Sequence, residues 1–209
     1  MSSTITNFVS KGLDRVEAGQ PVVLLLHGYA ADEKDLPELM GFLPDLPWAA
    51  LRAPIALGHQ AFAWYHIASP LTPALEDVEP ATEAIWDWVE RSIPDDSPLI
   101  VLGFSQGGLM ATQLLRTRPE RLAATVILAG FMFAGEQPAD TALTALKPKV
   151  FYGRGANDER ISREAVRDLN VWLQTHTRAQ TKTYDGLGHS IDARVMADVA
   201  DYLSTQLGA

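Results

Sequence analysis

The segment that most constrains this chain runs from Leu99 to Leu115. An apolar tetrad, Leu99-Ile100-Val101-Leu102, is followed by Gly103-Phe104-Ser105-Gln106-Gly107 and then by Gly108-Leu109-Met110-Ala111-Thr112-Gln113-Leu114-Leu115. The tetrad reads as a buried strand and the last eight residues as an apolar-faced helix. Between them, a G-x-S-x-G pentamer forces a sharp strand-to-helix turn that leaves the serine hydroxyl exposed above the sheet. Glycine is needed on both sides because a Cβ there would strike the neighbouring strand and helix. The pentamer alone recurs by chance in glycine-rich loops. Set between a strand and a helix, it signals a serine nucleophile.

The rest of the chain alternates in the way such a turn requires. Val22–Leu26, Ala49–Arg52, Leu99–Phe104, Thr125–Ala129, Val150–Tyr152 and Thr181–Tyr184 read as strands, and Thr4–Val9 as an antiparallel edge strand. In Pro80–Ile93, Ala81, Ala84, Ile85, Trp88 and Val89 fall on one helical face, with Pro80 in the first turn. Trp88 is then core. Trp86 lies off that stripe, which predicts a surface position or a subunit contact in a homodimer. Further helices are expected from Ser162, as N-cap, to about His176, and from Asp192 to Leu207. Nearly continuous apolar strands alternating with helices imply an α/β fold whose mainly parallel sheet has helices on both faces. The 209 residues make one domain, residues 1–209, with little room for a large lid.

A hydrolase of this α/β architecture carries its catalytic residues in the order Ser, then Asp or Glu, then His. Only His176 and His189 follow Ser105. His176 closes an amphipathic helix, where a solvated or helix-terminal role is expected. His189 lies in Gly186-Leu187-Gly188-His189-Ser190, a glycine-rich loop between a strand and the last helix, and is the expected general base. Several carboxylates stand between Ser105 and His189. Glu164 and Asp168 fall within a helix. Asp158 follows the strand and glycine loop Lys149–Asn157 and is the preferred acid, with Asp185, at a strand end, as its rival. Glu159 reads as a solubility residue. An oxyanion hole requires the backbone N–H of Gln106 and one from the loop after the early strand, Leu24-Leu25-Leu26-His27-Gly28-Tyr29-Ala30, where Gly28 permits a turn and Tyr29 offers its N–H. His27 precedes Ser105 and reads as a structural prop for that loop.

These landmarks together resemble the phospholipase/carboxylesterase family of α/β-hydrolases, which includes small bacterial carboxylesterases and acyl-protein thioesterases. The similarity is carried by Leu26–Leu36, by Ala53-Pro54, by Ala63-Trp64-Tyr65, by Gly103–Gly108 and by Gly186–Ser190, in the family's order. The resemblance implies a triad of Ser105, Asp158 and His189, oxyanion donors at Tyr29 and Gln106, and a place for Trp64 in the substrate pocket. Phe62, Tyr65, Ile67, Leu71 and Leu75 then form either an acyl-binding wall or a loop packed over the sheet. Two stretches depart from the family's pattern. Ala30 stands where glycine is frequent, and Arg154, Arg160 and Ser162 interrupt the usual His-Gly-x-x-Asp-x-Val-Val-Pro run.

Composition narrows the remaining options. Lys and Arg total 17 against 26 Asp and Glu, for a net charge of −9, so a nucleic-acid backbone would be repelled. The absence of cysteine excludes thiol nucleophiles, disulfides and Cys-ligated metals and suits a reducing compartment. There is no H-E-x-x-H pair, P-loop or dinucleotide fingerprint, so no metal and no cofactor is expected. Neither a signal peptide nor an apolar stretch of spanning length is visible, which predicts a cytoplasmic protein without integral membrane association. The expected activity is hydrolysis of a small carboxylic ester with a short- to medium-chain acyl group, through an acyl-enzyme. The alternatives are an acyl thioesterase or lysophospholipase on the same scaffold, or a catalytically silent ligand-binding protein.

Overall fold

The structure, a computed structural model, describes residues 3–67 and 73–208. In chain order its elements are β1 (Phe8–Lys11), β2 (Val22–Leu26), β3 (Trp48–Leu51), β4 (Ile55–Gly58), β5 (Ala61–Ala63), α1 (Leu75–Ser92), β6 (Leu99–Phe104), α2 (Gln106–Thr117), β7 (Leu122–Leu128), α3 (Asp140–Leu146), β8 (Lys149–Gly155), α4 (Arg163–His176), β9 (Arg178–Tyr184) and α5 (Ala193–Leu207). Seven strands form one sheet in the order β1-β3-β2-β6-β7-β8-β9, and β4 and β5 form a separate hairpin. Only β1 runs antiparallel, pairing Phe8 with Leu51 at the sheet edge.

The period of two along the strands divides the core into two faces. Leu24 pairs with Val101, Val101 with Thr125, and Thr125 with Val150. That row and its neighbours pack under α1, α2, α3 and α4. Val23, Leu25, Ile100, Leu102, Val126 and Phe151 point to the other side, where α5 and the segment around Leu36–Leu43 cover them. Both faces of the central strands are therefore dry, which is why β2 and β6 read as unbroken apolar runs. No helix among the described residues is long and apolar enough to cross a membrane.

Several expectations shift. The edge strand occupies Phe8–Lys11 rather than Thr4–Val9. Helix α1 begins at Leu75, because Asp77 Oδ2 accepts the Ala74 N–H at 3.0 Å and closes a turn upstream of the proline. Pro80 thus sits inside the helix, where it lacks the N–H that would reach back to Glu76. Trp86 is buried within the chain: its Nε1 donates to Thr117 Oγ1 at 3.0 Å, and the Arg118 guanidinium lies 5.0 Å above its ring. The end of α2 widens the buried face of α1 beyond its apolar stripe, and the sequence argument for a subunit contact at Trp86 disappears. Trp88 is core and meets Phe8 edge to face.

Candidate active site

The pentamer forms the expected turn. Ser105 has φ 55° and ψ −115°, a backbone conformation that L-residues rarely adopt. It is held there by its N–H donating to Leu128 O at 2.9 Å and by its carbonyl accepting from Gly108 and Leu109. A Cβ on Gly103 would lie 2.0 Å from Gly107 O, and one on Gly107 would lie 2.0 Å from Leu26 O. Gly103 thus lets α2 fold back on the end of β6, and Gly107 lets α2 touch the end of β2, which carries the His27–Ala30 loop beside Ser105.

Two further loops converge on the serine from the carboxyl ends of β8 and β9. His189 Nε2 lies 2.8 Å from Ser105 Oγ, and His189 Nδ1 lies 2.8 Å from Asp158 Oδ2. A carboxylate only accepts, so the Nδ1 nitrogen carries the proton and Nε2 presents its lone pair to the serine hydroxyl. Asp158 is fixed from the other side, its Oδ1 accepting the N–H groups of Arg160 at 2.9 Å and Ile161 at 3.2 Å. The two loops are tied together by Ala156 N–H to Tyr184 O and Asn157 N–H to Leu187 O. The Phe104 ring packs 5.0 Å from the imidazole. Asp185 is exposed, and its carbonyl accepts from Arg194 at 3.1 Å. It is Asp158, not Asp185, that the fold brings to His189. His176 ends α4 and stacks on Trp172, away from this cluster.

The His27–Ala30 loop, expected to carry an oxyanion donor, is held by a network of which only the His27 prop is legible in the sequence. His27 is buried; its Nδ1 donates to Gly28 O at 2.7 Å and its Nε2 accepts the Ala53 N–H at 3.1 Å. Glu33 and Arg52 form a paired ion bridge at 2.5 and 2.6 Å, with the guanidinium 4.5 Å over Phe62, and the bridge holds the Glu33 carboxyl below its usual range. Ala30 donates to Phe62 O and sits at φ 62°. The positive φ of this loop therefore falls on Ala30 and not on Gly28, whose missing Cβ instead makes room for Phe104. Neither Tyr29 nor Gln106 spends its backbone N–H on a protein acceptor among the described residues. Gln106 opens α2, so its N–H has no partner within the helix.

Gln106 also has a side-chain role that no motif announced. Its Oε1 accepts the Trp64 N–H and its Nε2 donates to Tyr65 O, both at 2.9 Å. Trp64, expected in the substrate pocket, is 1% exposed, and its Nε1 donates to His27 O at 2.9 Å. The tryptophan clamps the His27–Ala30 loop to the β5 end and does not line the cavity. A cavity of about 450 Å³ opens above Ser105, with Tyr29, Tyr65, Ile67, Phe131, Arg160 and Ile161 among its walls. Of the suggested acyl wall, Tyr65 and Ile67 contribute, Phe62 packs under Arg52, Leu75 begins α1, and Leu71 lies outside the described residues.

Burial holds the His27 imidazole below its ordinary value. The unfolded chain takes up that proton near pH 6.5, but the folded chain resists it because Nε2 already accepts the Ala53 N–H. This contribution to stability is complete above pH 6.5 and is lost as pH falls from there through the depressed folded value. Thermal unfolding of the wild type between pH 7.5 and 5.5 is expected to show this loss, with a slope of at most about 1.4 kcal/mol per pH unit. His27→Asn, less stable at neutral pH, is expected to show a shallower pH dependence. An unchanged slope would place the proton uptake elsewhere.

A family model described as phospholipase/carboxylesterase matches residues 13–207. Acyl-protein thioesterase 1 of Kluyveromyces lactis is 27% identical over 158 residues, which cover 69% of each chain. A probable carboxylesterase of Oryza sativa subsp. japonica is 24% identical over 177 residues, covering 78% of this chain and 66% of the rice protein. The crystal structure of a Bacillus cereus carboxylesterase superposes with a TM-score of 0.78 at 20% identity, covering 95% of this chain and 93% of that one. With the fold and an almost full-length family match in agreement, the chain belongs to the phospholipase/carboxylesterase family of α/β-hydrolases.

Proposed function

We propose that this chain is a serine carboxylesterase acting on short- to medium-chain acyl esters, with Ser105 as nucleophile, His189 as general base and Asp158 as its orienting acid. The observation that carries the reading is the unbroken chain from Ser105 Oγ to His189 to Asp158, with 2.8 Å at each step, under an open cavity. His189 Nε2 takes the hydroxyl proton as Ser105 Oγ attacks the ester carbonyl. The Tyr29 and Gln106 N–H groups receive the oxyanion, each such donor contributing about 3 kcal/mol to transition-state stabilisation. The imidazolium then protonates the leaving alcohol, and water repeats the sequence to release the acid.

Initial rates on p-nitrophenyl esters from acetate to palmitate test both chemistry and chain length. Rates are expected to peak at about four to eight carbons, since the cavity has the size of a small-ligand site and mixes apolar walls with a few polar groups. A maximum at palmitate would overturn the chain-length assignment. The relative named acyl-protein thioesterase 1 favours a thioester as a second substrate. Comparing butyryl esters with the matching S-butyryl thioesters decides between the two. Labelling of Ser105 by a fluorophosphonate separates either enzyme from a silent binder.

A further inference from the structure

Arg160 is the one cationic side chain, histidine aside, that lines the cavity above Ser105, and no carboxylate lines it among the described residues. Its guanidinium is exposed and makes no hydrogen bond or ion pair to any described residue. Two acids precede Arg160 directly in the sequence. Asp158 is 1% exposed at its side chain and has both oxygens committed to His189 and to backbone N–H groups. Glu159 is exposed and does not line the cavity, and Glu164, the first acid after Arg160, pairs with Arg167. The Arg160 backbone is not free to drift, because its N–H donates to Asp158 Oδ1 at 2.9 Å. A cation is thus held at the mouth of the site by the carboxylate that orients His189. This contrasts with a chain whose net charge is −9 and in which most described arginines have an acid partner, as Arg52, Arg116, Arg118, Arg167 and Arg194 do.

We propose that Arg160 is a specificity-determining residue that binds a carboxylate on the substrate, so that the preferred substrates are esters carrying one carboxylate a few bonds from the scissile carbonyl. The inference rests on the serine-hydrolase reading for turnover but not for binding. A guanidinium presents a planar pair of N–H donors that matches a carboxylate in two-pronged geometry, which a neutral amide of the same shape cannot exploit. The overall negative field repels anions at long range, but it is screened beyond about 8 Å at physiological ionic strength. A local cation within the cavity therefore decides which anions bind.

The test uses glutarate as probe and its diamide, glutaramide, as the neutral isostere, with binding measured by titration calorimetry. Wild-type protein is expected to bind glutarate about tenfold more tightly than glutaramide, a preference that shrinks as salt rises. Arg160→Gln is expected to lose the preference and Arg160→Lys to retain part of it. Equal binding of the two probes by the wild type, or a preference that survives Arg160→Gln, overturns the assignment. Two half-esters then locate the anion: ethyl hydrogen glutarate carries its carboxylate on the acyl side, and the butyryl ester of glycolate carries it on the alcohol side. Each is compared with its primary amide, and the anion-to-amide ratio of kcat/KM should exceed one for at least one pair and fall in Arg160→Gln. A ratio at or below one for both pairs also overturns the assignment. If glutarate binds through Arg160 while Ser105 neither reacts with fluorophosphonate nor turns over any ester, the hydrolase reading fails and the anion site stands.

Discussion

Ser105→Ala is expected to lower kcat on p-nitrophenyl butyrate by about 10⁶-fold, the scale on which removing a serine nucleophile disables a triad. The residual rate should come from the Tyr29 and Gln106 N–H groups and from substrate binding. The substitution removes one hydroxyl and its bond to His189, but not the backbone conformation that Ser105 adopts at φ 55°. Alanine meets the same strain in that conformation, so the melting temperature should stay within a few degrees, consistent with the loss of about 1 kcal/mol for one hydrogen bond. The two measurements are informative together. Turnover lost from a folded protein, with loss of fluorophosphonate labelling, assigns the nucleophile. Turnover retained above about one part in a hundred, far above what an oxyanion hole without its nucleophile supplies, would move the nucleophile elsewhere.

The parts of this molecule that were legible in its sequence are those in which a local pattern and a global constraint coincide. Strands β2 and β6 are dry on both faces, so their composition alone marks them. The elbow is legible because its glycines answer to specific backbone contacts, 2.0 Å from Gly107 O and from Leu26 O. The proximity of His189 and Asp158 follows from chain order and from the rule that loops at strand ends converge. What escaped depends on distant partners. Trp86 lies off its helical stripe yet is buried, because Thr117 and Arg118 come from another helix. Trp64 stands at a family landmark beside the site, but its indole N–H is spent on His27 O. The Gln106 side chain joins Trp64 and Tyr65 across more than forty residues, a pairing that no local spacing encodes. The β4–β5 hairpin and α3 leave no sequence signal because both are short and weakly periodic. Strand β9 runs over seven residues where the sequence marks four, because an edge strand exposed along nearly its whole length carries no apolar pattern to set its start.

Gly107→Ala should be among the most damaging methyl additions near the site, and it connects that backbone packing to the rate. The new Cβ would lie 2.0 Å from Leu26 O and 2.6 Å from His27 O, both backbone atoms at the end of β2. No rotamer change relieves a clash between a Cβ and a carbonyl. Either α2 must lift from the sheet or the β2 end must move. Lifting α2 disturbs a helix whose residues from Gln106 to Arg116 are all buried. Moving β2 breaks the ladder in which Leu26 pairs with both Leu51 and Gly103. The expected cost is about 3 kcal/mol or more, at the upper end of overpacking effects, and denaturant unfolding monitored by tryptophan fluorescence would measure it. The displacement also carries the His27–Ala30 loop away from Ser105, so protein that still folds should lose about 10²-fold in kcat through misplacement of the Tyr29 N–H. Gly41→Ala, which meets nothing within 4 Å, serves as the control for a methyl added at an open site. If Gly107→Ala matched that control in both stability and rate, the close approach of α2 to β2 would not be what positions the oxyanion loop.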